Sequence, residues 1–292
     1  MQTEEKTRVA VFGYGNIGKA VEEAVSMTND MTLAGIFHHD EMERMVACKP
    51  DIVLLGVPSR EVPDTVERLL EAGLNTVDSF DIHTQIPAVH KRLDAKARAR
   101  QAVSILSAGW DPGSDSMVRA LMEALMPQGL TYTDFGPGRS MGHTVAAKHI
   151  AGVKDALSMT IPLGTGIHRR MVYVEIAEGY TYDQVRDAIL RDDYFAHDET
   201  HVIEVDNVQA LNNVAHGVHL TRNGVSGTTH NQRIEMTMTI NNPALTGQIM
   251  VASARAAIRM AERKQYGCYT MIELAPVDLL EGNREEWIRR LV

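Results

Sequence analysis

The first third of the chain alternates short apolar runs with segments of helical periodicity. Between Val62 and Ala72, apolar side chains recur on one helical face and Gly73 follows, which predicts a helix that ends there. Short strands that alternate with helices are typical of a parallel sheet covered by helices. The crossover between Phe37 and Ile52 has little room for both a helix and a further strand. The predicted strands are Val9–Phe12, Leu33–Phe37, Ile52–Val57, Asn75–Asp78 and Ser104–Ser107.

The pattern changes after Asp111-Pro112-Gly113. A helix is predicted from about Asp115 to Met126, and longer segments of alternating polar and apolar residues follow it. These segments predict a mixed or antiparallel sheet that forms a second layer and a subunit interface. After a break at Asn241-Asn242-Pro243, a long helix is predicted over residues 244–263, and we expect it to pack back on the first domain. The alternating segments are Ser158–Leu163, Arg170–Ile176, His201–Val205 and Arg233–Thr239.

A glycine motif follows the first predicted strand. Val9–Phe12 runs into Gly13-Tyr14-Gly15-Asn16-Ile17-Gly18 and then into a predicted helix. Such a G-x-G-x-x-G turn presents backbone N–H groups and a helix N-terminus to a dinucleotide pyrophosphate. The motif alone is weak evidence. Its strand-to-helix context near the N-terminus favours a dinucleotide site over a glycine-rich turn without a ligand.

Together these patterns predict an α/β fold, with a Rossmann-type doubly wound parallel sheet and a second α+β domain for substrate binding and oligomerisation. We expect the dinucleotide-binding domain to be discontinuous and to comprise residues 1–114 plus 243–292. The second domain is then residues 115–242. Its apolar strands predict a homo-oligomer, a dimer or larger.

Charge and cysteine content restrict the class of partner. The 292-residue chain has a formal net charge of -9, which argues against nucleic acid or an anionic membrane as partner, because both bind clustered Lys and Arg. An anionic substrate must then be held by a few placed cations. The two cysteines, Cys48 and Cys268, make no disulfide framework, and no apolar run reaches membrane-spanning length. With no signal-peptide pattern at the start, we expect a soluble cytoplasmic protein.

Residues that directly follow the predicted strands are candidates for chemistry, because ligands of open α/β sheets bind at the carboxyl ends of the strands. Val57-Pro58-Ser59-Arg60 is either the nicotinamide side of a cofactor site or a proline turn. Asp78-Ser79-Phe80-Asp81 follows the fourth strand, and Gly109-Trp110-Asp111-Pro112-Gly113 follows the fifth. Their aspartates are either caps and turn formers or a pair that holds a substrate ammonium group. Trp110 is expected to pack over the site or the domain hinge.

Three further segments carry polar candidates. The loop Phe135-Gly136-Pro137-Gly138-Arg139-Ser140-Met141-Gly142-His143 either donates backbone N–H groups to a carboxylate or is a flexible connector. His197 and His201 have the i, i+4 spacing of zinc ligands. Asp198 stands where a metalloprotease has its Glu and a strand follows at once, so no metal site is predicted. His38-His39 follows the second strand, where an acidic residue favours NAD and a cation favours NADP.

Several of these segments resemble meso-diaminopimelate dehydrogenases, in particular the branch typified by a thermophilic D-amino-acid dehydrogenase. The resemblance covers nearly the whole chain. The matching segments are Gly13–Gly18, Pro58–Val62, Asp78–His83, Gly109–Ser116, Phe135–Gly138, Ser140–Thr144, His168–Tyr173, Tyr194-Phe195, His197–Val202, Gly224–Gly227 and Ile240–Gly247.

This resemblance implies NADP-dependent, reversible oxidative deamination at the D-configured carbon of meso-2,6-diaminopimelate, which gives L-2-amino-6-oxopimelate, ammonia and NADPH. Members of the branch also accept other D-amino acids and 2-oxo acids. Asp81 and Asp111 are expected to hold and orient the reacting amino group; whether one of them or a bound water takes the proton stays open. The other implied substrate residues are Trp110 and Phe135 as pocket walls, Met141 and Gly142 as backbone donors to the nearby carboxylate, and Thr160, Arg170, His216 and Asn242 at the distant L-amino acid end. The implied cofactor residues are Gly13, Tyr14, Gly15, Asn16, Ile17, His38, His39, Val57, Pro58 and Ser59.

The chain departs from that branch at the ribose-binding position. Branch members usually carry an arginine pair where this chain has His38-His39, and the stretch up to Lys49 is shorter than usual. We therefore expect NADP to bind more weakly or NAD to compete.

Two rival interpretations are a different reductase of the aspartate pathway, such as a relative of dihydrodipicolinate reductase or homoserine dehydrogenase, and a dinucleotide sensor without chemistry. The first class lacks this arrangement of the Trp110–Gly113 segment with the Asp78 and Asp81 pair. A sensor needs no amino-acid pocket, so the joint presence of the implied substrate residues argues against the second.

Overall fold

The chain divides into two compact units. The computed structural model describes residues 6–211, 216–228 and 230–292. The first unit is Met1–Ala120 with Asn242–Val292, and the second is Leu121–Asn241. The first division therefore falls within a helix, Ser114–Leu125, whereas the sequence-based boundary, between residues 114 and 115, follows the first residue of that helix.

Strands and helices alternate through most of the chain. In chain order they are β1 (Thr7–Phe12), α1 (Asn16–Ser26), β2 (Met31–Phe37), α2 (Met42–Ala47), β3 (Ile52–Leu55), α3 (Val62–Glu71), β4 (Asn75–Asp78), α4 (Ile86–Ala99), β5 (Val103–Ile105), α5 (Ser114–Leu125), β6 (Gln128–Phe135), β7 (Gly138–Arg139), α6 (Met141–Lys148), β8 (Val153–Gly164), β9 (Ile167–Ile176), α7 (Tyr182–Arg191), β10 (Glu199–Glu204), β11 (His216–Ser226), β12 (His230–Ile240), α8 (Asn242–Glu262), β13 (Gly267–Tyr269) and α9 (Arg284–Leu291).

The first unit is built on a parallel sheet. Its six described strands lie in the order β13-β5-β4-β3-β1-β2, and every neighbouring pair is parallel. The strand order reverses at β1, which is the point where doubly wound sheets bind ligands. The predicted Rossmann-type fold is confirmed, and β13, which the pattern did not reveal, is the sixth strand.

Both faces of this sheet are covered. The central strand β3 is almost fully buried along its length, because α1 and α8 pack on one face and α2, α3 and α4 pack on the other. The long predicted helix is α8, and it contacts α1 closely: a Cβ on Gly247 would stand 2.7 Å from the backbone of Ala20. The Phe37–Ile52 crossover contains only the six-residue helix α2, as its short length predicts.

The second unit is mixed. Its described strands form a four-stranded sheet, β10-β9-β8-β7, and a three-stranded sheet, β12-β11-β6. The β9–β10 pair is parallel and the other pairs are antiparallel. A small core beneath α6 and α7 includes Val172, Val185 and Phe195. The sequence pattern predicted parts of β8, β9, β10 and β12, but not β6, β7 or β11.

Candidate active site

The glycine motif after β1 closes into a tight turn. Gly13 has a φ of +93°, and its N–H donates to the carbonyl of Phe37 at 2.8 Å. A Cβ on Gly13 would stand 2.7 Å from the backbone of Gly56, and one on Gly18 would stand 2.1 Å from the Gly13 carbonyl oxygen. Only glycine fits at these two positions, because β1, α1 and the residue after β3 meet there.

Gly15 is the open point of this turn. It is the N-cap of α1, and a Cβ added to it would meet no described atom within 4 Å. The cap position makes no side-chain hydrogen bond, and the first turn, which begins with Asn16 and Ile17, carries no acidic residue. The N-terminal N–H groups of α1 are therefore available to an anion. This open cradle fits the pyrophosphate of a dinucleotide.

The residues after β3 connect this turn to a predicted catalytic residue. Val57, followed by Pro58, places its Cγ1 2.9 Å from the Cβ position of Gly13. The Ser59 hydroxyl donates to Asp81 Oδ1 at 2.5 Å, and the Asp81 N–H lies 3.4 Å from the Ser59 oxygen. Since β3 and β4 are neighbouring parallel strands, Ser59 and Asp81 follow the same edge of the sheet.

Asp111, in the loop after β5, shares a cation with a second carboxylate. Arg119 Nη2 donates to Asp111 Oδ1 at 3.0 Å and to Asp115 Oδ2 at 2.7 Å. Asp115 is fully buried, and this burial together with the Asp111 carboxylate raises its pKa. Trp110 is also buried, and its carbonyl accepts from the Asp115 N–H at 3.0 Å. The loop that carries Asp111 is thus anchored to the first turns of α5.

His38 and His39 lie exposed directly after β2. The His38 N–H donates to Glu41 Oε2 at 3.0 Å, and Glu41 also pairs with Arg44. The hydrogen bond from the His38 backbone, together with Arg44, holds the pKa of Glu41 below its usual range. The ribose-binding position predicted from the sequence therefore carries a paired carboxylate and an exposed arginine beside the two histidines.

Tyr14 lies within the glycine turn. Its hydroxyl donates to Glu22 on α1, and this hydrogen bond raises the Tyr14 pKa. Lys19 Nζ lies 5.9 Å from the centre of the Tyr14 ring. These contacts fix the Tyr14 side chain against the helix that follows the turn.

In the second unit, Arg170 on β9 is oriented by one neighbour on β8 and one in the bend before β10. Its Nε donates to Asp198 Oδ2 at 2.6 Å, and its Nη1 donates to the hydroxyl of the buried residue Thr160. Thr160 and Arg170 face each other in the β8–β9 ladder. Among the described residues, Nη2 of Arg170 has no hydrogen-bond partner. The guanidinium is therefore held in place with a donor left for a carboxylate.

Histidines surround this arginine. Burial lowers the pKa of His143 to about 4, with further contributions from Arg170 and His216, so the ring is neutral at physiological pH. The pKa of His168 is also lowered, first by burial and then by Arg170. His216 is buried at the start of β11. The Arg170 guanidinium therefore has the Asp198 carboxylate as an ionic partner and the neutral ring of His143 nearby.

The glycine-rich loop leads into the N-terminus of α6. Met141 and Gly142 are the first two residues of α6, and the Ser140 cap makes no side-chain hydrogen bond to the helix backbone. The backbone N–H groups of Met141 and Gly142 can therefore bind an anion. Phe135 donates its N–H to His168 Nε2 at 2.7 Å, and the two ring centres lie 5.6 Å apart.

The structure groups the sequence-predicted residues by unit. The first unit holds the cofactor candidates with Asp81, Trp110 and Asp111, and the second holds Phe135, Met141, Gly142, Thr160, Arg170 and His216. Asn242, which the sequence analysis assigned to the second domain, begins α8 in the first unit. There its Oδ1 accepts from the Thr246 hydroxyl at 3.3 Å.

Sequence reasoning missed the residues that support the predicted ones. Asp115, Arg119 and Asp198 contact a predicted site residue directly, and no local motif distinguishes them. The i, i+4 spacing of Asp115 and Arg119 on a predicted helix could have indicated that these two side chains form an ion pair. Asp198, which the sequence analysis included in the zinc spacing and in the segment His197–Val202, lies 28 positions from its partner Arg170.

The described residues contain neither a metal-binding cluster nor a membrane-spanning helix. Within the described residues, no group of three or more His, Cys, Asp or Glu side chains is placed to hold a metal ion. His201 lies on β10 and contacts Glu199 at 2.8 Å, so it shares no helical face with His197. None of the helices in the described ranges is long and apolar enough to cross a membrane.

Comparison with known proteins reveals close relatives. A family model described as the diaminopimelic acid dehydrogenase C-terminal domain matches residues 109–169. The chain is 52% identical to a meso-diaminopimelate D-dehydrogenase of Bacteroides fragilis, over 99% of this chain and 100% of that protein. Among solved structures, C. glutamicum DAP dehydrogenase in complex with DAP matches with a TM-score of 0.90 at 28% identity, over 98% of this chain and 99% of the other. An engineered D-amino acid dehydrogenase bound to NADP+ matches with a TM-score of 0.87 at 27% identity, over 99% and 100% of the two chains.

Proposed function

This chain belongs to the meso-diaminopimelate D-dehydrogenase family, and from that premise we propose that it catalyses NADP-dependent, reversible oxidative deamination at the D-centre of meso-2,6-diaminopimelate. The products are L-2-amino-6-oxopimelate, ammonia and NADPH. Other D-amino acids, and 2-oxo acids in the reductive direction, are further candidate substrates.

One observation carries this proposal. The glycine turn, Ser59, Asp81 and Asp111 all follow the carboxyl ends of strands in one parallel sheet, with the open Gly15 cradle among them. A dinucleotide bound at this edge would have two carboxylates near the end of the sheet where its reactive ring lies. That is the arrangement needed to remove hydride and a proton from an amine.

The two aspartates are proposed to act on the reacting amino group. The substrate amine must lose a proton before its carbon can give up hydride, and a carboxylate is a suitable acceptor. Asp111 is oriented by Arg119, and Asp81 by Ser59. NADP, when bound, supplies the hydride acceptor. Water then adds to the resulting carbon–nitrogen double bond, and ammonia leaves.

The second unit is proposed to recognise the non-reacting groups. Arg170 binds the carboxylate of the L-amino acid end, with Thr160 and His216 beside it, and the N–H groups of Met141 and Gly142 bind the carboxylate next to the D-centre. Asn242 of the first unit is also proposed to contact the L-amino acid end, and Trp110 and Phe135 are proposed as further substrate contacts. Fixing both ends of the substrate determines which stereocentre reacts.

The cofactor is proposed to be NADP, with His38 and His39 beside its 2′-phosphate. Histidine is only partly protonated near neutral pH, and Glu41 adds a negative charge there, so we expect a smaller preference for NADP over NAD than an arginine pair would give. Steady-state kinetics with both cofactors at two pH values tests this. A large NADP preference that does not change with pH would show that histidine protonation does not determine the cofactor preference.

The reaction itself is tested by mixing the protein with meso-diaminopimelate and NADP and following NADPH absorbance. The LL-isomer, which has no D-centre, should give no signal. Asp81→Asn and Asp111→Asn should each lower kcat roughly 100-fold, as expected for loss of a general acid or base. Asp64→Asn, an exposed aspartate on α3 that pairs with Arg92, is the matched control. No NADPH from meso-diaminopimelate or any D-amino acid would contradict the proposal and favour a sensor.

A further inference from the structure

Asp78, the last residue of β4, hydrogen-bonds to the backbone of both loops that carry the candidate catalytic aspartates. Its Oδ1 accepts from the Phe80 N–H at 2.9 Å and from the Ser107 N–H at 3.1 Å. Its own carbonyl accepts from the Ala108 N–H at 2.7 Å. Phe80 directly precedes Asp81, and Ser107 and Ala108 begin the loop that reaches Asp111.

This arrangement costs free energy of folding, which argues that it does more than fill space in the core. The Asp78 side chain is completely buried, and burial raises its pKa to about 6 in spite of the two backbone donors. Among the described residues, its second oxygen has no hydrogen-bond partner. Ser107 has a φ of +61°, a left-handed conformation that is rare for a residue other than glycine. A buried carboxylate and a strained backbone thus coincide where the two loops begin.

We propose that Asp78 is a positioning residue that holds Asp81 and Asp111 in their places by fixing the start of both loops. Its Oδ1 orients the Phe80 and Ser107 amides, and the amides determine where each chain leaves the sheet. This inference rests on the proposed function, because it assigns the two aspartates to the reacting centre.

A purely structural role for Asp78 predicts a different outcome from a positioning role. A structural residue lowers stability and leaves the turnover of the folded enzyme unchanged. A positioning residue changes turnover in the folded enzyme, because a displacement of about 1 Å at reacting groups can cost roughly 100-fold in rate. The hydrogen bonds of the Asp78 side chain and carbonyl go to Phe80, Ser107 and Ala108 and not to the glycine turn, so the cofactor Kd serves as a control for a general loss of structure.

The test compares Asp78→Ala and Asp78→Asn with a matched control, Thr76→Val. Thr76 lies two residues earlier on β4, is equally buried, and donates to the Ser104 hydroxyl on β5 at 2.9 Å, away from both loops. For each variant, kcat and KM with meso-diaminopimelate, the Kd of NADPH by fluorescence, and Tm are measured. Asp78→Ala should lower kcat roughly 10- to 100-fold and leave the NADPH Kd within about twofold. Asp78→Asn keeps the accepting oxygen and should retain kcat within about threefold.

Thr76→Val should lower Tm and leave kcat unchanged. The proposal is overturned if Asp78→Ala lowers Tm as Thr76→Val does but leaves kcat unchanged. It is also overturned if Asp78→Asn lowers kcat as much as Asp78→Ala does. If Asp78→Ala does not fold, Asp78→Val, which leaves no cavity and is suited to a strand, takes its place. If neither folds, Asp78 is a folding determinant and the proposal is rejected. A wild-type enzyme inactive on meso-diaminopimelate refutes the proposed function instead.

Discussion

Replacing Arg170 with Met tests the proposed recognition of the substrate carboxylate. The guanidinium is largely buried, with 12% of the side chain exposed, and Asp198 and Thr160 hold it in one orientation. Methionine keeps much of the side-chain length and apolar volume but donates no hydrogen bond. The substitution therefore removes the proposed carboxylate donor of the second unit.

The magnitude follows from the contact that is lost. A hydrogen bond to a charged group is worth about 1.5–3 kcal/mol, and about 1.36 kcal/mol corresponds to a factor of ten. We therefore expect kcat/KM for meso-diaminopimelate to fall roughly 10- to 150-fold in Arg170→Met. The fall in kcat/KM should be smaller for Arg170→Lys, because lysine keeps the positive charge and lacks only the planar, two-pronged donor geometry of the guanidinium.

The assay is steady-state NADPH formation at several meso-diaminopimelate concentrations, with Arg169→Met as the matched control. Arg169 is the neighbouring residue on β9 and also forms a salt bridge, to Glu199 at 2.8 Å, but 39% of its side chain is exposed. Arg169→Met should retain kcat/KM within about twofold. Equal losses in both variants, or no loss in Arg170→Met, would refute the assignment of Arg170 to a substrate carboxylate.

Three further predictions concern the first unit. Gly15→Ala should fold normally and weaken NADPH binding, whereas Gly18→Ala should have a lower Tm because its Cβ would stand 2.1 Å from a backbone oxygen. Calorimetry measures Tm and fluorescence titration measures NADPH binding. Unchanged binding in Gly15→Ala would show that Gly15 does not line the cofactor site. Arg119→Met should lower kcat roughly 10-fold, because Asp111 loses its orienting donor at 3.0 Å, and an unchanged kcat would show that Arg119 only supports the fold. The pKa of Asp78 is about 6 in the folded protein, above the ordinary 3.8, so its contribution to stability is present in full below pH 3.8 and is lost as the pH rises through 6. In urea titrations, the stability of wild type minus that of Asp78→Asn should therefore fall by about 2 kcal/mol between pH 4 and pH 7. A constant difference would contradict the buried carboxyl.

Much of the first unit is predictable from the sequence because its signals are local. The strand before Gly13, the spacing of the glycines and the apolar face of α3 each depend on neighbouring residues alone. Steric contact between Gly13, Gly18 and Gly56 explains why the motif tolerates no side chain at its first and last positions. Residues that follow strands were correctly expected at one edge of the sheet, because parallel topology places them there.

The missed features depend on tertiary contacts. Strand β7 has two residues, and β6 is only partly buried, so neither produces a clear periodic pattern. Asp198 orients Arg170 from a position 28 residues away, and Asp78 joins loops that begin 2 and 29 residues beyond it. Such links appear only when the chain has folded. The fold class and the main site candidates were accessible from the sequence, but the orienting roles of Asp115, Arg119 and Asp198 were not.

In the proposed reaction, hydride leaves the D-configured carbon of meso-diaminopimelate. The most direct measurement uses two substrates, one deuterated only at the D-carbon and one only at the L-carbon, with mass spectrometry of the NADPH formed. We expect deuterium in the NADPH from the first substrate and none from the second, with one ammonium released for each NADPH. Deuterium transfer from the L-carbon, or NADPH formed without ammonium, would contradict it.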